Sequence, residues 1–544
     1  YQIGNCYYNG KGVNVDIKQA FEWYLKSAKK ENSIAQNKIG YCYQYGIGIC
    51  KDGKKAFEWY LKSSKKGNSE GQDNLGYCYQ YGIAKRGNHN AQNNLAFCYK
   101  NEFGTIKNYN LAFKWYLKSA EGGNYNAQNN LGDCYRNGLE TNINYNKAFE
   151  WYLKSAEGEN YDAQNNLGNC YRNGLGTNKN YNKAFEWYLK SAKGGNHNAQ
   201  YNLAFCFKDG LGTNKNYSIA FKWYSISAEG KNHNAQNALG YCYQHGIGIK
   251  TDNKKAFEWY LKSARRGNSA GQGNLGCCYQ HGIGTDLDEM NAFKWYLKSA
   301  EGGNLKGQNN LGYCYQHGFG TYVNEKEAFK WYTKSARGGN HYAQNNLGYC
   351  YQHGIGVCIN ENKAFEWYSK SAKGGNIDAQ NIMGKCYYSG KWVDKNYNIA
   401  FSWYLKSAEG GNHSAQNNLG YCYHYGIGVN IDQEKAFEWY LKSAKGGNHN
   451  AQNEIGYCYQ HGVGINIDKK KAFEWYLKSA ENGNIKGQNN LGYCYQYGIG
   501  IDIDNKKAFK WYLKSVEGGS FDAQYNLAFC YKNGIGTDKN LRKA

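Results

Sequence analysis

The sequence predicts an all-α solenoid, a right-handed superhelix of stacked antiparallel helix pairs, and three observations predict it. Trp recurs every 36 residues from Trp115 through Trp151, Trp187 and Trp223 to Trp511. Cys recurs at the same interval from Cys98 to Cys530. Between these markers the apolar residues follow the 3.6-residue period of a helix, in two short blocks per interval, and Pro is absent from all 544 residues. An AT-rich coding sequence would also deplete Pro, so its absence supports the helices without carrying the prediction. A fixed period overrides the several globular domains that length alone suggests.

Residues 127–157 serve as the template for each element. The first block, AQNNLGDCYRNG, forms an amphipathic helix A at 100° per residue. Ala127, Leu131, Cys134 and Tyr135 share one side, and Gly132 beside them lets a neighbouring helix approach. Asn129, Asp133 and Arg136 face the other way. A Gly-x-Gly turn follows in most units, as in Gly174-Leu175-Gly176, and supplies the left-handed backbone that ends a helix. Asn or Asp then caps helix B. In helix B, KAFEWYLKSAE, the buried face is Ala148, Phe149, Tyr152, Ser155 and Ala156, with Trp151 at its edge. Glu150, Lys154 and Glu157 face water, and Glu150 pairs with Lys154 at i,i+4. A Gly-Gly-Asn link stops helix B and starts the next helix A. One such pair cannot bury its own apolar face, so about sixteen units stack.

The pattern L-G-x-x-Y-x-x-G-x-G followed by K-A-x-x-W-Y-x-K-S-A closely resembles the Sel1-like repeat, a relative of the tetratricopeptide repeat. Leu347-Gly348, Tyr351, Gly354, Gly356, Lys363-Ala364, Trp367-Tyr368 and Ser371-Ala372 carry it in one unit. The resemblance implies an adaptor that assembles signalling, degradation or host–microbe complexes. Fungal and protist members set such repeats beside kinase-like domains, and no kinase motif lies in these residues. Both ends fall inside a repeat, so the chain reads as a piece of something longer.

Chemistry-bearing residues reduce to packing or turns. Sixteen of the 19 Cys occupy one core position of helix A, and equivalent Cα atoms in adjacent helices stand about 8–10 Å apart, beyond disulfide reach. Free thiols in a reducing, cytoplasmic compartment are expected. Cys-x-x-His recurs at Cys242/His245, Cys278/His281, Cys314/His317, Cys350/His353 and Cys458/His461. The His position is Tyr at Tyr45, Tyr81, Tyr425 and Tyr497, so a metal site is not expected. Ser27–Lys30 and Ser63–Lys66 give Ser-x-x-K, but that Ser lies on the buried side of helix B. Gly-x-Gly-Thr lacks the Gly-Lys-Ser/Thr of a phosphate loop. No enzyme activity and no cofactor are expected. No apolar run approaches the roughly eighteen residues of a membrane span, and mean hydropathy is −0.85, which predicts a soluble chain.

The net charge of +23, from 66 basic and 43 acidic residues, raises nucleic acid as a partner. The Lys residues spread evenly along helix B and the loops, which fits a solvated face. The candidate reading positions vary too little between units for a helical-repeat RNA reader.

The remaining surface is a stripe on helix A of Asn, then Tyr or Phe, then Gln at i, i+4 and i+7. Asn237–Tyr241–Gln244, Asn309–Tyr313–Gln316, Asn345–Tyr349–Gln352 and Asn489–Tyr493–Gln496 are four cases. By the resemblance this stripe lines a concave groove, where Asn meets an extended peptide backbone and Tyr adds contact area. Asp133, Asn169 and Lys385 interrupt it. The expected function is a protein-binding scaffold with proteins or extended peptides as partners. The alternatives are a regulatory or targeting region of a larger enzyme such as a kinase, and RNA binding through the basic surface.

The array is interrupted once. Cys78 and Cys98 stand 20 apart and Trp59 and Trp115 stand 56 apart, so sixteen residues, a loop and most of a helix B, are missing. The expected organisation is a short array over 1–82, a defective junction over 83–88 and a long array over 89–544, cut short at its C-terminal end.

Overall fold

The computed structural model describes residues 1–78, 88–102, 106–540 and 542–543. Among them are thirty α-helices and no strand. The chain forms two compact units, 1–266 and 267–544, each carrying fifteen of these helices stacked in chain order. No described helix is long and apolar enough to cross a membrane. The expected junction at 83–88 lies outside the described residues apart from Asn88. Asn88 caps the helix His89–Asn101 by accepting from the Ala91 N–H at 2.9 Å.

The repeat is built as its capping residues dictate. Helix A of the template runs Tyr125–Asn137 and helix B Tyr145–Glu157. Asn124 Oδ1 accepts from Ala127 N at 2.8 Å and Asn144 Oδ1 from Lys147 N at 3.0 Å, each satisfying one orphan N–H of a first turn. At the other end the chain turns left-handed, as at Gly174 (φ 71°) and Gly176 (φ 68°). Gly174 N–H returns to the Cys170 carbonyl at 2.8 Å. A side chain on Gly176 would strike the Tyr145 carbonyl of the preceding helix B, so Gly is required there for space as well as for backbone. Asn144 N–H then reaches the Tyr135 carbonyl at 2.9 Å and folds the loop back over helix A.

Within a repeat, helix B presses Tyr152 onto helix A at Gly132. A Cβ on Gly132 would come within 2.6 Å of the Tyr152 ring, which is fully buried. Ser155 is also fully buried, and its hydroxyl donates to the Tyr125 carbonyl at 2.6 Å. The Ser-x-x-K serine is thus occupied as a clasp between helices; Ser63 makes the same bond to Ser33. Cys134 and its equivalents fill the space beneath, and all nineteen cysteines are free thiols.

Between repeats three contacts recur. Phe of helix B meets the Tyr after Cys of the next helix A edge-on: Phe113–Tyr135 at 5.5 Å and 85°, Phe329–Tyr351 at 5.4 Å and 89°. Each such pair contributes roughly 0.5–1.5 kcal/mol beyond its burial. Gln128 Nε2 donates to the Ala120 carbonyl at 3.1 Å, tying helix A to the end of the preceding helix B. Trp packs where two repeats meet, as Trp223 does on the cluster holding Tyr188 of the preceding repeat and Cys206 of its own.

A further contact between repeats is one the helical wheel misses. Asn166 Nδ2 donates to Asn129 Oδ1 at 3.0 Å, and Asn346 Nδ2 to Asn309 Oδ1 at 3.0 Å. These amide rungs join successive A helices. Asn129, placed on the water side by its angular position, is only 9% exposed. Asp133 accepts from the Tyr152 hydroxyl at 2.7 Å and pairs with Arg136 at 2.9 Å. The reason is geometric. A wheel divides a helix into two faces, whereas helix A meets its own helix B, the preceding helix B and neighbouring A helices. A smaller correction concerns Lys154, whose ammonium lies 4.5 Å from the Trp151 ring centroid rather than paired with Glu150. The pair does form at the equivalent Lys370–Glu366, at 2.7 Å.

Candidate functional site

The helix-A stripe divides into parts with different jobs. Its glutamines face inward. Gln316, Gln352 and Gln496 each accept the hydroxyl of the buried helix-B tyrosine of the same repeat, Tyr332, Tyr368 and Tyr512, at 2.8 Å. Gln244 does the same for Tyr260 at 2.8 Å. The asparagines are rungs. Asn309 Oδ1 accepts from Asn346, and Asn489 Oδ1 accepts from Asn526 at 2.8 Å. Asn237 holds the same half-buried register position. Asn345 Oδ1 is buried without a hydrogen-bond partner, because the residue 37 further on is Ile382 where most repeats carry the Asn donor.

The tyrosines are what the stripe shows to solvent. Tyr241, Tyr313, Tyr349 and Tyr493 are 40–44% exposed. Each rests on the residue one turn later: Tyr241 on His245 at 4.2 Å, Tyr313 on His317 at 4.3 Å, Tyr349 on His353 at 4.2 Å and Tyr493 on Tyr497 at 4.4 Å. This explains why His and Tyr alternate after Cys-x-x: either ring supports the tyrosine. Cys314 is buried while His317 is exposed, so the two point apart rather than toward a shared ion. Burial pushes the Cys314 thiol up to about 12. Such a thiol stays protonated near neutral pH and is a poor nucleophile.

The arrangement offers rigid aromatic surface at a fixed interval. A Tyr–His pair buries a hydroxyl-tipped ring on one side and leaves the other free, a geometry that meets an amphipathic partner at low entropic cost. The sequence stripe locates these tyrosines correctly. It also groups with them amides that are structural, since the wheel cannot show a hydrogen bond that crosses to another helix. The spacing of 37 between the two members of each rung is the signal that identifies them.

The comparisons agree with this architecture. The Sel1 repeat family matches sixteen segments, from 1–32 and 33–68 through 69–90 and 89–124 to 485–520 and 521–544, and the chain belongs to that family. The segment 69–90 is the short one, at the break in the sequence period. Among solved structures the chain is similar to a protective antigen of uropathogenic Escherichia coli with an SLR fold. The identity is 34%, the match covers 77% of this chain and 90% of that one, and the TM-score is 0.57. A Sel1 repeat protein from Oxalobacter formigenes is 28% identical over 57% of this chain and 90% of its own, with a TM-score of 0.42. No curated protein matches the chain. Sel1 repeat solenoids act generally as protein-interaction scaffolds.

Proposed function

We propose that the chain is a non-enzymatic scaffold that receives segments of partner proteins along the helix-A tyrosines. The observation that carries this reading is the set of half-exposed tyrosines, each braced by a ring one turn later, with Asn309 and Asn489 of the same stripe already engaged in rungs. Aromatic side chains held rigid before binding lose little freedom on contact, and aromatic residues dominate the energetics of protein interfaces. A reducing compartment suits the nineteen free thiols.

The test replaces Tyr241, Tyr313, Tyr349 and Tyr493 together by Ser and measures capture of immobilised peptides by the whole chain. Loss of capture with unchanged helicity supports the reading. The control replaces Lys298 and Lys334, which lie over Trp295 and Trp331 on helix B at 4.5 and 5.0 Å. Equal loss in both variants sinks it. Asn309 and Asn489 are left intact, because removing a rung would confuse binding with stability.

A further inference from the structure

One joint in the second unit departs from the repeat at two positions at once, and both departures leave polar atoms unpaired. Its helices are A, His413–Tyr425; B, Gln433–Lys445; and the next A, His449–His461. In the neighbouring repeats the rung is amide to amide. Asn418 Nδ2 donates to Asn381 Oδ1 at 3.1 Å, and Asn490 Nδ2 to Asn453 Oδ1 at 2.9 Å. By the same register Asn417 Oδ1 faces residue 454, which is Glu, so an acceptor faces an acceptor. Asn417 Oδ1 is buried with no hydrogen-bond partner.

The second departure is His424, which stands where Gln accepts the buried tyrosine hydroxyl in other repeats, as Gln460 does for Tyr476 at 2.9 Å. Tyr440 is 1% exposed, and both its hydroxyl and His424 Nδ1 lack a partner. The rings of His424 and Tyr440 lie 6.5 Å apart. The Glu454 carboxylate acts on Tyr440 as well: the phenol is pushed up, first by burial and next by that charge. His424 and Glu454 therefore both bear on Tyr440, and Asn417 faces Glu454 by register.

The spot holds polar groups without their partners: the Asn417 amide oxygen, the Tyr440 hydroxyl and His424 Nδ1. Glu454 takes only a 3.3 Å bond from Asn453 Nδ2. Burial pushes its carboxyl up, against partial relief from Asn453 and from Lys486 of the following repeat. Burial lowers His424, which favours its neutral ring. At the rim stand three exposed rings, Tyr421, Tyr425 and Tyr457; Tyr421 and Tyr425 are 4.5 Å apart, and Tyr457 is 6.3 Å from His424. Aromatic faces beside a carboxylate attract a cation.

We propose that this joint is a binding site for a primary ammonium, the tip of a lysine side chain on a partner protein, which donates to the Glu454 carboxylate beside the exposed rings of Tyr421, Tyr425 and Tyr457. An ammonium carries donors and no acceptor, which suits a carboxylate whose own hydrogen bonding is poor. Its four-carbon stem lies along the rim tyrosines, as lysine stems lie on apolar surface elsewhere. Because the chain as a whole carries +23, the attraction is local, and groups beyond a Debye length of about 8–10 Å contribute little. The site rests on the reading that the helix-A face receives partner segments, and it adds a side-chain preference to that reading.

The experiment measures binding of the whole chain to short peptides that differ only at a central residue: lysine, acetyl-lysine or norleucine. The lysine peptide should bind about tenfold more tightly than either neutral form, the size expected of charge-assisted hydrogen bonds. Glu454→Asn rebuilds the rung and His424→Gln supplies the missing acceptor for Tyr440, so both variants should melt no lower than the natural chain. Glu454→Asn should erase the lysine preference, and His424→Gln should leave it in place. The proposal is overturned if peptides bind without that preference, or if the preference survives in Glu454→Asn. Absence of binding to any of the peptides overturns the general helix-A reading and this site with it.

Discussion

Gly348 lies against the ring of Tyr368, so close that a Cβ on the glycine would sit 2.8 Å from Tyr368 Cδ1. The tyrosine is 1% exposed and its hydroxyl reaches Gln352 at 2.8 Å. The methyl group of Gly348→Ala must push the ring, and overpacking of this kind costs roughly 1–3 kcal/mol. The chain contains its own precedent. Ala96 and Ala204 occupy the equivalent position opposite Tyr116 and Tyr224, and there Lys100 and Lys208 stand in place of the Gln acceptor. Thermal denaturation should show Gly348→Ala lowering stability, with Gly348→Val lowering it further.

The rungs predict that one substitution has opposite effects in adjacent repeats. Asn309→Ala removes the acceptor of Asn346 Nδ2 and leaves that donor half-buried, at a cost of roughly 1–3 kcal/mol. Asn345→Ala removes an oxygen that already lacks a partner opposite Ile382, so it should be neutral or stabilising. Hydrogen exchange across the helices Leu305–His317 and His341–His353 separates the two outcomes. Equal loss of protection in both variants contradicts the rung assignment.

Thiol reactivity should divide by position. Cys50 and Cys358 are exposed, while Cys134, Cys314 and Cys494 are buried and their thiols are pushed up to about 11–12. Brief alkylation of the folded chain near neutral pH, read by mass spectrometry, should label Cys50 and Cys358 first. The repeat cysteines should follow only as the chain opens.

Glu454 gives a pH dependence with a definite sign. Burial raises its carboxyl in the folded chain above the unfolded value of about 4.3. The folded state then holds the proton more tightly, so this group's contribution is full at pH below the unfolded value and falls as pH rises through the folded one. Glu454→Gln removes that dependence. It should raise the melting temperature near neutral pH, and the difference should vanish toward pH 4.

Much of this was legible in the sequence, for reasons that particular residues show. The Gly-x-Gly pairs, the Asn and Asp caps and the alternating apolar blocks are local signals, and each fixes a helix end or face within a few residues of itself. Even the Gly132 approach was readable, because an isolated glycine inside a helix has few other uses. The division of the binding stripe was not. Asn309, Tyr313 and Gln316 occupy one strip of one helix, yet Asn309 bonds the next helix A, Gln316 bonds its own helix B, and Tyr313 faces solvent. Those differences arise between helices, where a single helix projection carries no information. The joint at Glu454 and His424 was missed for the opposite reason: attention to what recurs passes over what departs.

The rungs also give each repeat a direction. One asparagine offers an oxygen to the repeat that follows, and its sequence neighbour offers hydrogens to the repeat before, as Asn129 and Asn130 do. Any unit with this plug and socket fits after any other in the same sense. Unequal recombination between such near-identical stretches of coding sequence would therefore add or remove whole units without designing a new interface. Ile382 and Glu454 are exceptions to that interchangeability. A unit carrying either one fits its neighbours on different terms, so these two positions fix a place in an array that could otherwise be shuffled.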